Sequence, residues 1–302
     1  MDATVREKYL KAGRVAGRAR DYGATLLVEG AKLVDVATEV EAFIVREGAS
    51  PAFPCCTSLN EDAAHYTAAP GDASTLKRGD VVKLDVGAQV DGYIGDTATT
   101  VEVGGTGKWD TLLEASRASL AKVVPMVKPG LAIREIGETV ESTMHALGFR
   151  PIANLTGHSV DHYHQHAGIS IPSVPSGRGS LPAGIAIAIE PFATNGAGQV
   201  RDAQGGNIYH FLAARPQRDP LARKALAYIE EHHPHLPFAG RWIAKAVPEA
   251  KLAYALRLLE RSGAVKQYPV LREAGQGMVA QFEHTVLVEE SGVVVTTRGA
   301  EP

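Results

Sequence analysis

Residues 81–103, VVKLDVGAQVDGYIGDTATTVEV, predict a β-hairpin with its turn near Val90–Gly92. Two aspartates, Asp85 and Asp96, interrupt its apolar residues. If the hairpin has a two-residue loop at 90–91, the two aspartates are directly opposite each other. If the two-residue loop is at 91–92, they are diagonal neighbours on the same face. A three-residue loop would place them on different faces. On one face their Cβ atoms lie roughly 5 to 8 Å apart.

Two carboxylates at that separation repel each other unless one is protonated or a cation lies between them. The alternative for Asp85 is an ion pair with Lys83, which shares its face. Two further carboxylates stand in strand-like runs: Glu190 ends GIAIAIEPF (184–192), and Glu283 lies inside VAQFEHTVLVEE (279–290). An ionised carboxylate in an apolar interior is costly unless it is paired, so the four indicate a cation site.

A histidine-rich segment, GHSVDHYHQHAG (157–168), adds nitrogen ligands, with histidines at 158, 162, 164 and 166. If the segment is extended, this even spacing directs all four side chains to one face. The residues alone do not select one of them. Carboxylate-rich sites with a histidine suit Mn, Co, Fe or Zn. Four carboxylates carry more charge than one divalent ion offsets, which favours two ions, as in several hydrolases.

Composition excludes other classes of protein. The chain has 302 residues, 45% of them hydrophobic, and a net charge of −3. This charge gives no basic excess, so nucleic-acid binding is not expected as the main activity. The sequence shows neither a membrane-spanning stretch nor a signal peptide, so we expect a cytoplasmic protein without a membrane anchor. Cys55 and Cys56 are adjacent and lack the spacing of a zinc site.

Hydrophobic spacing predicts an α/β organisation. Helical patterns cover 4–20, 31–47, 109–126 and 132–147, and strand-like runs cover 150–160, 165–172 and 184–194. A glycine-rich loop at 195–206 then leads to three predicted helices within 220–263, and strand patterns return at 264–272 and 278–297. We therefore expect one catalytic domain over 1–302, with an inserted helical subdomain at approximately 206–272.

Five segments together resemble the methionine aminopeptidases. Four of them correspond to the metal-binding segments of that family and occur in the family's order: KLDVGAQVDGYIGDTATT (83–100), NLTGHSVDHYHQHAG (154–168), AIEPFAT (188–194) and AQFEHTVLV (280–288). The fifth, AFPCCTSLNEDAAHYT (52–67), is similar to the family's upstream substrate segment. The helical insertion is similar to that of the type 2 enzymes, in their short archaeal form.

The resemblance implies a pita-bread fold, in which two pseudo-symmetric α/β halves surround a curved antiparallel sheet with helices outside. It implies two divalent metal ions, of Co, Mn, Fe or Zn, held by five ligands. One ion would bind Asp96, His158, Glu190 and Glu283; the other would bind Asp85, with Asp96 and Glu283 bridging. An activated water would attack the first peptide bond of a nascent polypeptide that begins with methionine, with Glu190 accepting a proton.

The resemblance also implies roles around the metals. His65 and His166 would position the substrate and stabilise the oxyanion, and Phe53, Ile208 and Tyr268 would line a methionine pocket that suits the apolar thioether. The second residue of the substrate would be small, and the enzyme would be a monomer, with transient ribosome association left open. Cys55, Cys56, His162, His164 and His210 receive no role.

Two alternatives remain. A proline-specific peptidase of the same fold usually carries a substantial extra N-terminal domain, whereas the first site segment here already begins near residue 53. A pita-bread protein that serves only as a binding factor would have lost metal ligands, whereas this chain retains all five, together with His65 and His166.

Overall fold

A computed structural model describes residues 1–299 and contains α-helices outside antiparallel strands. The helices are α1 (Ala3–Leu26), α2 (Leu33–Arg46), α3 (Asp110–Val123), α4 (Ile133–Ala146), α5 (Pro220–His232) and α6 (Glu249–Arg261). The strands are β1 (Ser50–Pro51), β2 (Cys56–Leu59), β3 (Asp62–Ala64), β4 (Val81–Val90), β5 (Tyr93–Glu102), β6 (Arg150–Pro151), β7 (Thr156–Val160), β8 (Ser170–Pro172), β9 (Ile185–Ile189), β10 (Phe192–Thr194), β11 (Val200–Phe211), β12 (Phe238–Ala239), β13 (Val265–Glu273), β14 (Val279–Gln281), β15 (His284–Glu289) and β16 (Gly292–Val295). Short 3-10 helices occupy Val124–Met126 and Gly240–Lys245.

The strands form four hydrogen-bonded groups, and every pairing between strands is antiparallel. The first has the order β1-β4-β2, with β5 also paired to β4, and the second has the order β16-β15-β9-β7-β8. The smaller β14-β10-β6 group and the β12-β11-β13-β3 group complete the set. Two helices followed by a two-residue strand ending in proline occur twice, at α1–α2–β1 and at α3–α4–β6. This repeated order agrees with the two halves that the resemblance implies.

Each half has its own apolar core. In the first half, α1 packs on β4 and β5 and α2 packs against α1, with a cluster of buried residues that includes Val36, Val40 and Leu84. In the second half, α3 and α4 cover strands through residues that include Leu112, Ile136 and Ile187. The contact between α1 and β5 is close at Gly95, where a Cβ atom would come within 2.5 Å of the Gly13 Cα. Glycine at 95 therefore allows helix and strand to meet at the distance that the core requires.

Three threonine hydroxyls join the halves across a seam where β5 faces β14 and β15. Thr97 Oγ1 donates to the carbonyl of Glu283 at 2.7 Å, and Thr100 Oγ1 donates to that of Gln281 at 2.6 Å. Thr285 Oγ1 accepts from the Asp96 amide and donates to the Asp96 carbonyl, both at 2.8 Å. These bonds fix the backbone of residues predicted to hold metal.

The helical segment between β11 and β13 packs around a separate apolar cluster. The two strands are still paired at Phe211 and Val265, on either side of the segment. Helices α5 and α6 and the 3-10 helix at Gly240–Lys245 contribute buried residues that include Leu226, Ile243 and Leu256. The division into one domain with an inserted subdomain at 206–272 stays a prediction, and its last residues, 300–302, lie outside the described part of the chain.

Several predicted elements differ from the observed ones. The expected loop at 195–206 is already strand from Val200, because its backbone pairs with β13 from Val200 to Ala203 and again after an irregularity before Ile208. The expected helix at 238–246 is a two-residue strand followed by a 3-10 helix. The run at 165–172 is strand only at Ser170–Pro172, since the chain turns after Val160. None of the helices within residues 1–299 combines the length and apolar character needed to cross a bilayer.

Candidate metal centre

The β4–β5 hairpin positions the two aspartates by its register. Asp85 pairs with Ala98, and Asp96 pairs with Gly87, so the turn is Asp91-Gly92 and the aspartates are diagonal on one face. Both turn residues have positive φ, 47° at Asp91 and 83° at Gly92, as a turn that follows the twist of the strands requires. The structure thus selects one of the two same-face alternatives that the sequence left open.

The second half supplies the other three predicted ligands from neighbouring strands. His158 lies on β7 opposite Ala188 of β9, and Glu190 comes directly after β9. Glu283 lies in the break between β14 and β15, where its amide donates to the Ala98 carbonyl at 3.1 Å. The uninterrupted strand expected around Glu283 is therefore wrong. The break turns Glu283 toward β5, and Thr97 holds it there through its carbonyl.

These residues converge. Asp96, His158 and Glu283 each offer a ligand atom, and the three atoms lie within 4.8 Å of one another. His158 Nε2 is 3.8 Å from Asp96 Oδ2 and 3.5 Å from Glu190 Oε1. Asp85 lines the same cavity. The structure brings all five predicted ligands to one place.

Burial, together with repulsion between the carboxylates, is the main cause of the pKa shifts at the predicted metal centre. Burial raises the pKa of Asp85 to about 7, although a hydrogen bond from Gln281 opposes the shift. Burial, followed by repulsion between the carboxylates, also raises the pKa values of Asp96, Glu190 and Glu283 well above their usual range. Burial and the neighbouring His166 lower the pKa of His158 to about 3. His158 is therefore neutral at pH 7 and keeps a nitrogen lone pair for a metal.

The residues fit a divalent cation. Buried oxygens of Asp85 and Glu283, Oδ1 and Oε1 respectively, have no hydrogen-bond partner among the described residues. Buried polar atoms of this kind are costly and require an explanation. A cation would satisfy both oxygens and lower all four raised pKa values, since an opposite charge favours the ionised form.

A cavity of about 220 Å³ opens beside the five residues, and all the other predicted site residues line it. Phe53 and Ile208 are buried, and the ring centroid of Tyr268 is 5.9 Å from that of His65. His65 follows β3 in a left-handed conformation, with φ of 66°, and burial lowers its pKa to about 4. The ring centroid of His166 is 4.3 Å from that of His158. His166 is solvent-exposed, yet the surrounding protein still desolvates the ring enough to lower its pKa.

Two glutamines at the site received no role from the sequence. Gln281 Nε2 donates to Glu190 Oε2 at 3.1 Å and lies 3.5 Å from Glu283 Oε2. Gln165 Nε2 donates to Asp96 Oδ2 at 3.4 Å. The alternation of Gln281 with Glu283 was a signal that could have identified the first. Gln165 gave no comparable signal, because its loop has no regular period.

The remaining candidates lie elsewhere. Lys83 does not pair with Asp85, because its Nζ donates to the Asn60 carbonyl at 2.6 Å. The chain turns at Asp161, so the expected common face of the four histidines is wrong, and His162 and His164 are exposed. Cys55 and Cys56 are buried, and burial raises their pKa values well above the usual range. Such thiols are unreactive, which agrees with a packing role.

Comparison with known proteins gives this geometry a family. Residues 7–290 match the model of metallopeptidase family M24. The chain is 47% identical over 294 residues to the methionine aminopeptidase of Thermococcus kodakarensis, covering 97% of this chain and 99% of the relative. A thermophilic Arx1 structure superposes with a TM-score of 0.85 at 18% identity, covering 100% of this chain and 92% of that chain. The methionine aminopeptidase of Thermotoga maritima superposes with a TM-score of 0.72 at 24% identity, covering 99% of this chain and 98% of that one.

The chain belongs to metallopeptidase family M24. The structural matches confirm the predicted pita-bread fold. Within the family, the chain is similar over almost its whole length to the methionine aminopeptidases of archaea, including that of Methanocaldococcus jannaschii at 45% identity.

Proposed function

We propose that this chain removes N-terminal methionine by metal-dependent hydrolysis in which Asp85, Asp96, His158, Glu190 and Glu283 hold two divalent ions. Methionine aminopeptidase activity follows from the family and from the full-length similarity to the archaeal enzymes. The ligand set and the two ions go further than that similarity. The observation that carries them is the convergence of Asp96, His158 and Glu283 beside an apolar cavity.

The metals would activate a water molecule and polarise the carbonyl of the first peptide bond. Asp96 and Glu283 face each other across the threonine seam, and both are at most 2% exposed, which suits ligands shared between two ions. His158 would bind through Nε2, the nitrogen that faces Asp96 and Glu190. The donor set accepts Co, Mn, Fe or Zn, so it does not select the metal.

Glu190 is the residue we assign as proton acceptor. Its side chain is 12% exposed, so it can contact both the buried ligands and the open cavity. Gln281 Nε2 donates to one of its oxygens and orients the carboxylate. The other oxygen faces His158 at 3.5 Å. Its position between the ligands and the cavity places the carboxylate within reach of a water molecule there, from which it can accept a proton.

The two neutral histidines at the cavity can act on the substrate. The lowered pKa values of His65 and His166 keep both rings uncharged at pH 7. Each ring then has one N–H donor and one acceptor nitrogen, with which it can position the peptide and stabilise the oxyanion. Phe53, Ile208 and Tyr268 would surround the methionine side chain, for which an apolar and aromatic wall is well suited.

The substrates are nascent polypeptides, and we propose that their second residue is small. The finer expectations of a monomer in the cytoplasm, with transient ribosome contact, stay predictions. No feature of the described residues favours a proline-specific peptidase or a binding factor without catalysis. The five ligands and two histidines at one cavity support an active enzyme.

Release of the first residue from Met-Ala-Ser and Ala-Pro peptides tests the proposal. With added Mn or Co, methionine release from the first peptide should greatly exceed alanine release from the second. A strong chelator and Asp96→Ala should each abolish it. Equal release from both peptides, or activity that survives chelation, would contradict the proposal.

A further inference from the structure

A largely buried network of five residues lies outside the metal centre and outside the lining of the substrate cavity. Its centre is Glu41 on α2, which accepts three bonds: from the Cys55 amide at 3.0 Å, from Trp242 Nε1 at 2.8 Å and from Arg241 Nη2. The Glu41 and Arg241 side chains are only 11% and 9% exposed. We call Glu41, Cys55, Thr67, Arg241 and Trp242 the Glu41 network.

The network closes on itself. Arg241 Nη1 also donates to Thr67 Oγ1 at 2.7 Å and to the Ala68 carbonyl at 3.1 Å. Thr67 Oγ1 donates in turn to the Cys55 carbonyl at 2.7 Å. The ring therefore runs from Glu41 through Cys55 and Thr67 to Arg241 and back. It needs the planar fork of an arginine, because one side chain must donate in several fixed directions.

The ring connects the chain segments that carry residues of the cavity wall. Cys55 lies two residues after Phe53, and Thr67 lies two residues after His65. Arg241 comes two residues after Ala239, which pairs with Ile208. Within the described residues, the cavity lining includes none of the five members of the network. The network therefore adjoins three predicted substrate residues without lining the cavity itself.

We propose that the Glu41 network is a positioning device that sets the width of the methionine pocket by fixing the 53–67 segment against the inserted helical segment. This inference rests on the proposed function. Breaking the ring would let the wall that carries Phe53 and His65 move relative to the wall that carries Ile208. The ligand strands β5, β7 and β9 contribute no member to the network, so metal binding would be preserved.

The central variant is Arg241→Lys, which keeps the charge but cannot bond Glu41, Thr67 and Ala68 together. Small displacements of substrate-positioning groups can cost up to about a hundred-fold. We expect KM for a Met-Ala-Ser peptide to rise about 10-fold or more, with a smaller fall in kcat because His65 lies on the loosened wall. Selectivity for Met-Ala-Ser over Leu-Ala-Ser should fall, because a looser wall no longer fits the thioether. Stabilisation by added Mn, read as a shift in Tm, should be unchanged.

Arg6→Lys is the matched control, since Arg6 forms an ion pair with Glu289 that lies outside the cavity lining. It should leave KM and selectivity unchanged. If Arg241→Lys does not fold, Thr67→Val replaces it, because this isosteric change opens the ring at a buried position and leaves the pair of Glu41 with Arg241 intact. It should give the same rise in KM.

A double-mutant cycle with Phe53→Leu tests the route of the effect. If the network acts through the pocket wall, the rises in KM caused by Arg241→Lys and Phe53→Leu will not add. An unchanged KM and unchanged selectivity in folded Arg241→Lys would overturn the inference, even if the wild type releases methionine normally. A wild type that releases no methionine would instead overturn the proposed function.

Discussion

Gly87 on β4 leaves room for the ring of Phe53. A Cβ atom at position 87 would lie 2.1 Å from Phe53 Cε1, well inside van der Waals contact. Gly87 also lies opposite Asp96, so this one position separates the predicted methionine pocket from a predicted metal ligand. The strand geometry of Gly87 does not require glycine, since its φ is not positive. The need to leave room for the Phe53 ring is therefore sufficient to explain the glycine.

Gly87→Ala should displace Phe53 and raise KM for Met-Ala-Ser. We expect a loss of about 1–3 kcal/mol in stability, as for overpacking in other cores. The combination with Phe53→Leu, which vacates ring volume, should restore stability and part of the affinity. Thermal unfolding and steady-state kinetics of the three variants measure this. A double variant as unstable as Gly87→Ala would show that the methyl group collides with something other than Phe53.

Asp96→Asn should separate stability from activity. In the metal-free protein, the substitution removes one of four buried carboxylates that repel one another, so we expect Tm to rise, with a gain of about 0.5–2 kcal/mol. Activity and the stabilisation given by added Mn should both be lost. Thermal scans with and without a chelator measure both effects. A lower Tm for the chelated variant than for the chelated wild type would show that repulsion at Asp96 is already relieved by protonation.

Sequence reasoning worked for residues whose neighbours are fixed by a regular period. Alternation along the hairpin placed Asp85 and Asp96 on one face, which the register confirms. It could not choose among the histidines, because the chain leaves the extended conformation at Asp161 and the period ends there. The resemblance alone selected His158. Gln165, in the same irregular loop, could not be found.

Among the secondary-structure elements, the threonine seam between β5 and the β14 and β15 strands joins the two halves of the predicted metal centre. Strands β5 and β15 belong to different hydrogen-bonded groups. Side-chain hydroxyls therefore carry much of the contact that backbone ladders provide elsewhere. Because Thr285 bonds both backbone groups of Asp96, this contact fixes a predicted metal ligand directly.

Thr285→Val should weaken the seam while keeping the shape of the side chain. It leaves the Asp96 amide and carbonyl without their partner, at a cost of about 1–3 kcal/mol. Affinity for Mn should fall as well, because Asp96 is no longer fixed. Thr143→Val is the matched control: Thr143 is buried, and its hydroxyl bonds only the carbonyl of Thr139 within α4. Equal loss of Mn affinity in both variants would contradict a specific role for the seam.

Elements with strong periods were predicted well, and those defined by distant partners were not. Helix α2 spans Leu33–Arg46 where the pattern predicted 31–47. The glycine-rich start of β11 was predicted as a loop, since its pairing with β13 lies some 70 residues away along the chain. A 3-10 helix at Gly240–Lys245 takes the place of the helix expected at 238–246, and this segment also supplies Arg241 and Trp242 to the Glu41 network.

For the molecule as a whole, the buried titratable groups determine whether the free energy of unfolding rises or falls with pH. The lowered pKa of His158 means that the unfolded chain binds more protons below its ordinary value of 6.5, so this group adds stability as pH rises toward 6.5. The raised pKa values of the four carboxylates mean that the folded protein binds more protons, so they remove stability as pH rises. Above 6.5 the histidines are neutral in both states. Burial lowers the pKa of Lys83 to about 7, so above that pH this one group adds stability and partly offsets the loss caused by the carboxylates.

The chelated protein should therefore lose stability as pH rises above 6.5, because four carboxylates with raised pKa values outweigh Lys83; each excess proton held by the folded protein contributes roughly 1.4 kcal/mol per pH unit. With saturating Mn the loss should disappear, because the metal replaces the protons. Denaturant unfolding at several pH values measures both curves, and Asp96→Asn should flatten the chelated one. Stability of the chelated protein that rises over this range would contradict the assigned directions.

The distance between the predicted ligands along the chain also determines when the metal centre can form during synthesis. The seam holds Asp96 and Glu283 close together through Thr285 and Thr97, although 186 residues lie between positions 96 and 283. During its own synthesis, the chain cannot complete the centre until the ribosome has released Glu283. Each new copy of this enzyme therefore leaves the ribosome before its metal centre is complete, and it can become active only after the last ligand has emerged.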